Sequence, residues 1–186
     1  MKSRRAMFFG VLAIGLAANS QAIAGSIPLP SGNFGLTVNG SESSCTSPTS
    51  CIQLNIIEAG ATVRDSAGNG CGTHTAVVAF SPPVPQAPFV VPVTHVFKVT
   101  KYDPTTGIGD QSLTEYSGGT CNGAIFNNTG ATLSVTGTLH FVVSEGGNRI
   151  DNVVTSLNFA GPSGPVPATN FLLTFMERRQ SSQNQQ

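Results

Sequence analysis

The sequence predicts an all-β domain, an antiparallel β-barrel or alternatively a β-sandwich, held by two disulfides. Three observations predict it. Segments rich in Val, Ile, Thr and Phe recur along the chain, and Gly, Pro, Asn and Asp separate nearly all of them. Beyond the first 24 residues, no 12-residue window places apolar side chains at i, i+3, i+4 and i+7 while staying free of Gly and β-branched runs. Four cysteines complete the pattern, as small extracytoplasmic β-domains are commonly stapled.

The leader comes first. Lys2, Arg4 and Arg5 precede an uncharged apolar run from Ala6 to Ala18, and Ala22-Ile23-Ala24 has the small-x-small form of a signal-peptidase site. This predicts cleavage after Ala24 and a secreted or periplasmic chain that begins at Gly25. The run is shorter than the roughly 20 residues of a membrane span, and no second one follows, so no span is expected in the mature chain. Ile23-Ala24-Gly25 also lacks the cysteine of a lipid anchor. The domain reading is a signal peptide over 1–24, one barrel over 25–179 and a disordered polar tail over 180–186.

Strand signals then run in order: Asn33 to Asn39, Cys51 to Glu58, Ala61 to Asp65, Thr73 to Phe80, Val90 to Tyr102, Leu113 to Tyr116, Ala131 to Ser144, Arg149 to Phe159 and Thr169 to Glu177. The clearest pair is a hairpin in which Thr138 to Ser144 returns as Arg149 to Val154. With Gly146 and Gly147 as its turn, Val143 faces Ile150 and Leu139 faces Val154, all four inward. Asp65 to Gly70 and Asp103 to Gly107 read as further turns. Pro82, Pro83, Pro85, Pro88 and Pro92 crowd the stretch after Ser81, which reads as a stiff exposed connector because proline removes ladder donors. Gly161 to Pro167 reads as a long loop.

Of the three cysteine pairings, spacing favours one. Thr46 to Ser50 is turn-forming and brings Cys45 to Cys51, which leaves Cys71 for Cys121. On loop-entropy grounds the short bridge contributes about 2 kcal/mol and the long one about 4 kcal/mol. Cys-x5-Cys is not a usual zinc spacing.

Function is barely legible. After cleavage, Arg64, Lys98, Lys101, Arg149, Arg178 and Arg179 face nine acidic residues, a net charge of about −3. That argues against nucleic acid as a partner, since clustered Lys and Arg are needed to displace counterions. Asp65 to Gly70 resembles a calcium loop only superficially, because Ala67 and Ala76 occupy ligand positions. His74, His95 and His140 lie on three predicted strands. His95 shares a face with Val93, Phe97 and Val99, and His74 with Ala76, Val78 and Phe80, so both point inward. His140 is out of phase with Phe141 and Val143 and points outward, which breaks a three-histidine set; neither metal nor cofactor is expected. Asp65, Asp103, Asp110 and Glu145 sit at turns, so no carboxylate pair is foreseen, and there is no Gly-x-Ser-x-Gly elbow. Catalytic and ligand-binding residues are therefore left unassigned.

From about Val96 to Gln180 the chain carries Tyr102, Asp103, Gly107 and Gly109 at a turn, His140 to Val143 on a strand, Gly146 to Ile150 across a hairpin and Arg178 to Gln180 at a strand end. This pattern resembles a group of small secreted bacterial β-proteins of uncharacterised function. The resemblance implies a barrel similar to lipocalins or allene oxide cyclase, and brings no activity or site residues with it. On this reading Phe34, Phe80, Phe89, Phe97, Phe126, Phe141, Phe159, Phe171 and Phe175 line an interior that either is filled or holds a small apolar ligand. The alternatives are a protein-interaction module using an exposed edge or the Pro-rich stretch, and a lipid-like isomerase or cyclase, suggested by the barrel resemblance alone.

Overall fold

A computed structural model describes residues 25–47, 50–81 and 86–181, with the side chains of 44–47 and 50–51 outside the description. Eight strands close an antiparallel barrel. In chain order the strands are β1 (Gly32–Ser47), β2 (Ser50–Arg64), β3 (Gly70–Phe80), β4 (Phe89–Asp103), β5 (Ile108–Ser117), β6 (Thr120–Asn122), β7 (Ile125–Asn127), β8 (Thr132–Ser144), β9 (Arg149–Gly161), β10 (Gly164–Pro167) and β11 (Thr169–Arg179). Around the barrel the order is β9, β11, β1, β2, β3, β4, β5, β8, and the β8–β9 ladder closes the ring. Closure leaves no long unpaired edge among these strands.

Alternation decides what faces inward. Along β3, His74, Ala76 and Val78 are buried while Thr73, Thr75 and Val77 are exposed, and β8 repeats the pattern with Leu139, Phe141 and Val143. The β8–β9 hairpin has the expected register: Val143 pairs with Ile150, Leu139 with Val154, and all four are buried. Its turn is a short 3-10 segment, Glu145–Gly147, with Gly146 at φ 65° and Gly147 at φ 89°.

One end of the barrel is plugged. Phe34, Phe141, Val143 and Ile150 form an apolar cluster there, and Ile27 and Leu29 pack onto it. The cover is pinned by Ile27 N–H donating to the Pro104 carbonyl at 2.7 Å and Tyr102 Oη–H donating to the Ile27 carbonyl at 2.8 Å. Residues just beyond the expected cleavage point thus complete the core.

The hairpin of β6 and β7 lies outside the barrel, and Cys121 on it is bonded to the buried Cys71 of β3. Cys71 shares its phase with the exposed Thr73 and Thr75, so the disulfide fastens this hairpin over the outer face of β3. The β1–β2 ladder sets the backbone of Cys45 opposite that of Cys51; their side chains, like residues 1–24, Pro82 to Pro85 and 182–186, lie outside the described residues.

Several sequence expectations are corrected. The two short segments Cys51 to Glu58 and Ala61 to Asp65 are one strand, β2, running straight through Gly60. Gly161 to Pro167 is not simply a loop, because Gly164 to Pro167 pair with β9 as β10. Pro92 lies within β4 opposite Thr75; the β4–β5 ladder begins only at Val93, so the missing N–H falls beyond that ladder's end. Phe126 stacks on Tyr116 in the outer hairpin, with ring centroids 4.4 Å apart, and so is not interior lining.

Candidate functional site

At the barrel end away from the plug lies a cavity of about 230 Å³. Val38, Ile56, Val78, Val93, Leu157 and Leu173 contribute to a mostly apolar lining, with Phe89, Phe159 and Phe175 beside them. Three carboxyl groups interrupt that lining: Glu42 from β1, Glu58 from β2 and Glu115 from β5. Glu58 follows Leu54 and Ile56 in phase, and Glu115 follows Leu113, so each is carried inward by the alternation that buries its apolar neighbours.

Two histidines stand beside these acids. His95 of β4 pairs across the ladder with Glu115, and its Nε2 lies 3.1 Å from Glu115 Oε2 and 3.5 Å from Glu58 Oε2. His74 sits diagonally across the β3–β4 ladder, where Gly72 opposes His95 and His74 opposes Val93. The two Nδ1 atoms are 3.0 Å apart, and His74 Nε2 lies 3.2 Å from the Thr62 hydroxyl. His95 is fully buried, wedged against Phe97 and Phe175 at centroid distances of 5.8 and 5.6 Å.

Room for the His74 ring comes from glycine. A Cβ on Gly60 would stand 2.2 Å from His74 Cδ2 and 2.4 Å from the Thr73 carbonyl, and one on Gly72 would stand 2.8 Å from His74 Nε2. The glycine that reads as a strand break in the sequence is the space the imidazole occupies.

Burial sets the protonation. Glu58 is pushed up to about 7 by loss of solvent, against the pull of His95 and with help from the Glu115 charge. Glu42 is likewise raised to about 7, first by burial and then by the charges of Glu115 and Glu58. His74 falls to about 3 because burial and the adjacent His95 both disfavour its charged form. Burial opposes charge on His95 too, but the Glu115 hydrogen bond and the charges of Glu58, Glu115 and Glu177 outweigh it, so its value is raised. The arrangement is therefore a His95 that donates through Nδ1 to a neutral His74 and through Nε2 to Glu115, with Glu58 at ion-pair distance beside it. Glu58 Oε2 is buried and has no hydrogen-bond partner.

Deeper in, a second polar layer braces the wall. Arg64 pairs with Glu177 and donates through Nη1 to Gln111 Oε1 at 3.1 Å, and Gln111 Nε2 donates to Asn152 Oδ1 at 2.6 Å. Arg64 also lies over the Phe97 ring, 5.0 Å from its centroid. Its groups are satisfied by one another, so this layer reads as scaffold.

Of the residues weighed from sequence, His74 and His95 meet inside, as their phase predicts. His140 is outside, with Nδ1 2.8 Å from Asp110 Oδ1 and both side chains 47% exposed. Asp65 makes a turn by accepting from the N–H groups of Ala67 and Asn69 at 2.9 Å each. The carboxyl cluster Glu42, Glu58 and Glu115 was not foreseen. Its signal was present as acidic residues in the apolar phase of three strands. The chain matches no protein-family model, no curated protein and no solved structure.

Proposed function

We propose that this barrel binds a small ligand with an apolar body and a hydrogen-bond-donating head, most simply a primary ammonium. The observation that carries the reading is the set of three carboxyl groups in the otherwise mostly apolar wall of the cavity. An apolar body matches the valine, leucine and phenylalanine lining, and a donating head supplies partners to Glu42 and Glu58, whose carboxyls burial raises to about 7. The cavity volume, near the small end of typical ligand pockets, suits a compact molecule.

The chain contains no tryptophan, so binding is best read with an extrinsic fluorescent apolar probe. Displacement by n-alkylamines is expected to be at least tenfold stronger than by n-alkylcarboxylates of matched length, and Val78→Phe, which fills the cavity, should abolish both. Probe binding that does not saturate, or that Val78→Phe leaves intact, would overturn the reading.

A second reading, a protein-interaction surface, is favoured by one outer feature. Ile57, Val77 and Val90 are neighbours across β2, β3 and β4 and are 61%, 40% and 65% exposed. Ile57→Lys should then disrupt self-association or partner capture while leaving probe binding unchanged.

A further inference from the structure

We infer that Glu58, His74 and His95 form a binding site for one divalent first-row transition metal, with zinc as the reference ion and a free coordination position facing the cavity. The inference goes beyond ligand binding and does not depend on it.

Three adjacent strands supply the donors, and one ligand atom from each residue lies within 4.8 Å of the others. Tetrahedral zinc with bonds of about 2.0–2.1 Å sets its ligands roughly 3.3 Å apart. The Nδ1 atoms of His74 and His95 are already at 3.0 Å, and Glu58 Oε2 stands 3.5 Å from Nε2 on the same His95 ring, so reorientation of the Glu58 side chain toward the Nδ1 side is what completes three positions. All three residues are buried, and Glu58 Oε2 is the one buried side-chain oxygen or nitrogen without a partner among the described residues. Its nearest donor, His95 Nε2 at 3.5 Å, is already bonded to Glu115, so this oxygen retains an unmet capacity to accept.

The surroundings fit a metal as well as the ligands do. Metal-binding imidazoles usually have their other ring nitrogen held by a carboxylate or another polar group. Here His95 Nε2 is held by Glu115 at 3.1 Å and His74 Nε2 by Thr62 at 3.2 Å, which leaves both Nδ1 atoms to face one another and the ion. Two imidazoles and a carboxylate suit zinc, cobalt or nickel; calcium and magnesium prefer all-oxygen sets. The charges also close, because one divalent ion faces Glu58 as ligand and Glu115 as the carboxylate behind His95. On binding, the proton shared between the two Nδ1 atoms leaves for solvent and the metal takes its place.

The test uses the exported mature protein, free of any histidine tag and stripped with a chelator. Titration calorimetry with a zinc salt is expected to show one ion per chain, and cobalt should give the visible absorption of a four-coordinate site. Glu58→Gln, His74→Gln and His95→Gln should each weaken binding at least tenfold, and Glu115→Gln, acting through His95, by about 10- to 100-fold. His140→Gln on the outer face should bind as wild type. Thermal unfolding of each variant checks that it folds; Glu58→Gln is the safest, as its Oε2 has no hydrogen bond to lose. No stoichiometric binding, or binding unchanged in folded Glu58→Gln and His95→Gln, overturns the proposal. Val78→Phe should block the apolar probe yet preserve the cobalt spectrum, so failure of the ligand reading and failure of the metal site are told apart.

Discussion

Arg64 and Glu177, 113 residues apart in sequence, meet inside the barrel as a two-pronged ion pair, Nε to Oε2 at 2.7 Å and Nη2 to Oε1 at 2.6 Å. Both side chains are almost wholly removed from solvent. Breaking such a pair from one side strands a buried charge, so Glu177→Leu or Arg64→Leu alone should cost about 3–5 kcal/mol in urea unfolding. The double Leu variant should cost much less than the two singles added, because no lone charge remains. Additive losses would show that the two groups are not coupled.

Gly60 should tolerate no side chain. The Cβ of Gly60→Ala would meet the His74 ring and the Thr73 carbonyl well inside contact distance, so the β2–β3 ladder or the imidazole must yield. A loss of about 3 kcal/mol or more is expected, with the His74 ring resonances displaced in NMR spectra. Gly123, whose Cβ would meet nothing within 4 Å, provides no comparable steric test, although its φ of 59° adds backbone strain of its own.

Glu42 should contribute a loss of stability as pH rises, opposite in sign to the contribution of His74, whose value is lowered to about 3. The Glu42 value is about 7 in the folded chain against an ordinary 4.5, so between these the folded state holds more protons at this group than the unfolded one. The Glu42 contribution to the unfolding free energy therefore declines as pH climbs from about 4.5 to about 7, then levels off; below 4.5 Glu42 is protonated in both states and contributes no further change. Glu42→Gln removes the penalty, raising stability at pH 8 by up to about 3 kcal/mol, at about 1.4 kcal/mol per pH unit, and leaving it nearly unchanged at pH 4. The difference in melting temperature between the two proteins at pH 4, 6 and 8 checks the sign, since Glu58 and His74 are present in both.

Replacing Cys71 and Cys121 together by serine frees a 50-residue separation in the unfolded chain, which the loop-entropy model values at about 4 kcal/mol. The bridge holds an outer hairpin rather than the barrel wall. Amide exchange should therefore quicken most in β6 and β7, while the β3–β4 amides near His74 and His95 lose no more protection than the global loss of stability accounts for. Uniform loss of protection would mean that the hairpin clamps the barrel itself.

By itself the sequence determined that this is a β-protein, where its best hairpin turns and which way its histidines face, because those properties depend on residues two to ten positions apart. Alternation put Leu139, Val143, Ile150 and Val154 inside and His140 outside. It could not decide the barrel order, because the β1–β11 ladder joins the first and last strands of the chain, a pairing that no local pattern specifies. Nor could it decide that Gly60 continues a strand, since the reason is a ring on the neighbouring strand. The candidate site was hidden for the same cause. Glu42, Glu58, His74, His95 and Glu115 come from five strands, and only the curvature that closes the barrel turns five separate inward positions into one cluster whose mutual burial sets their charge.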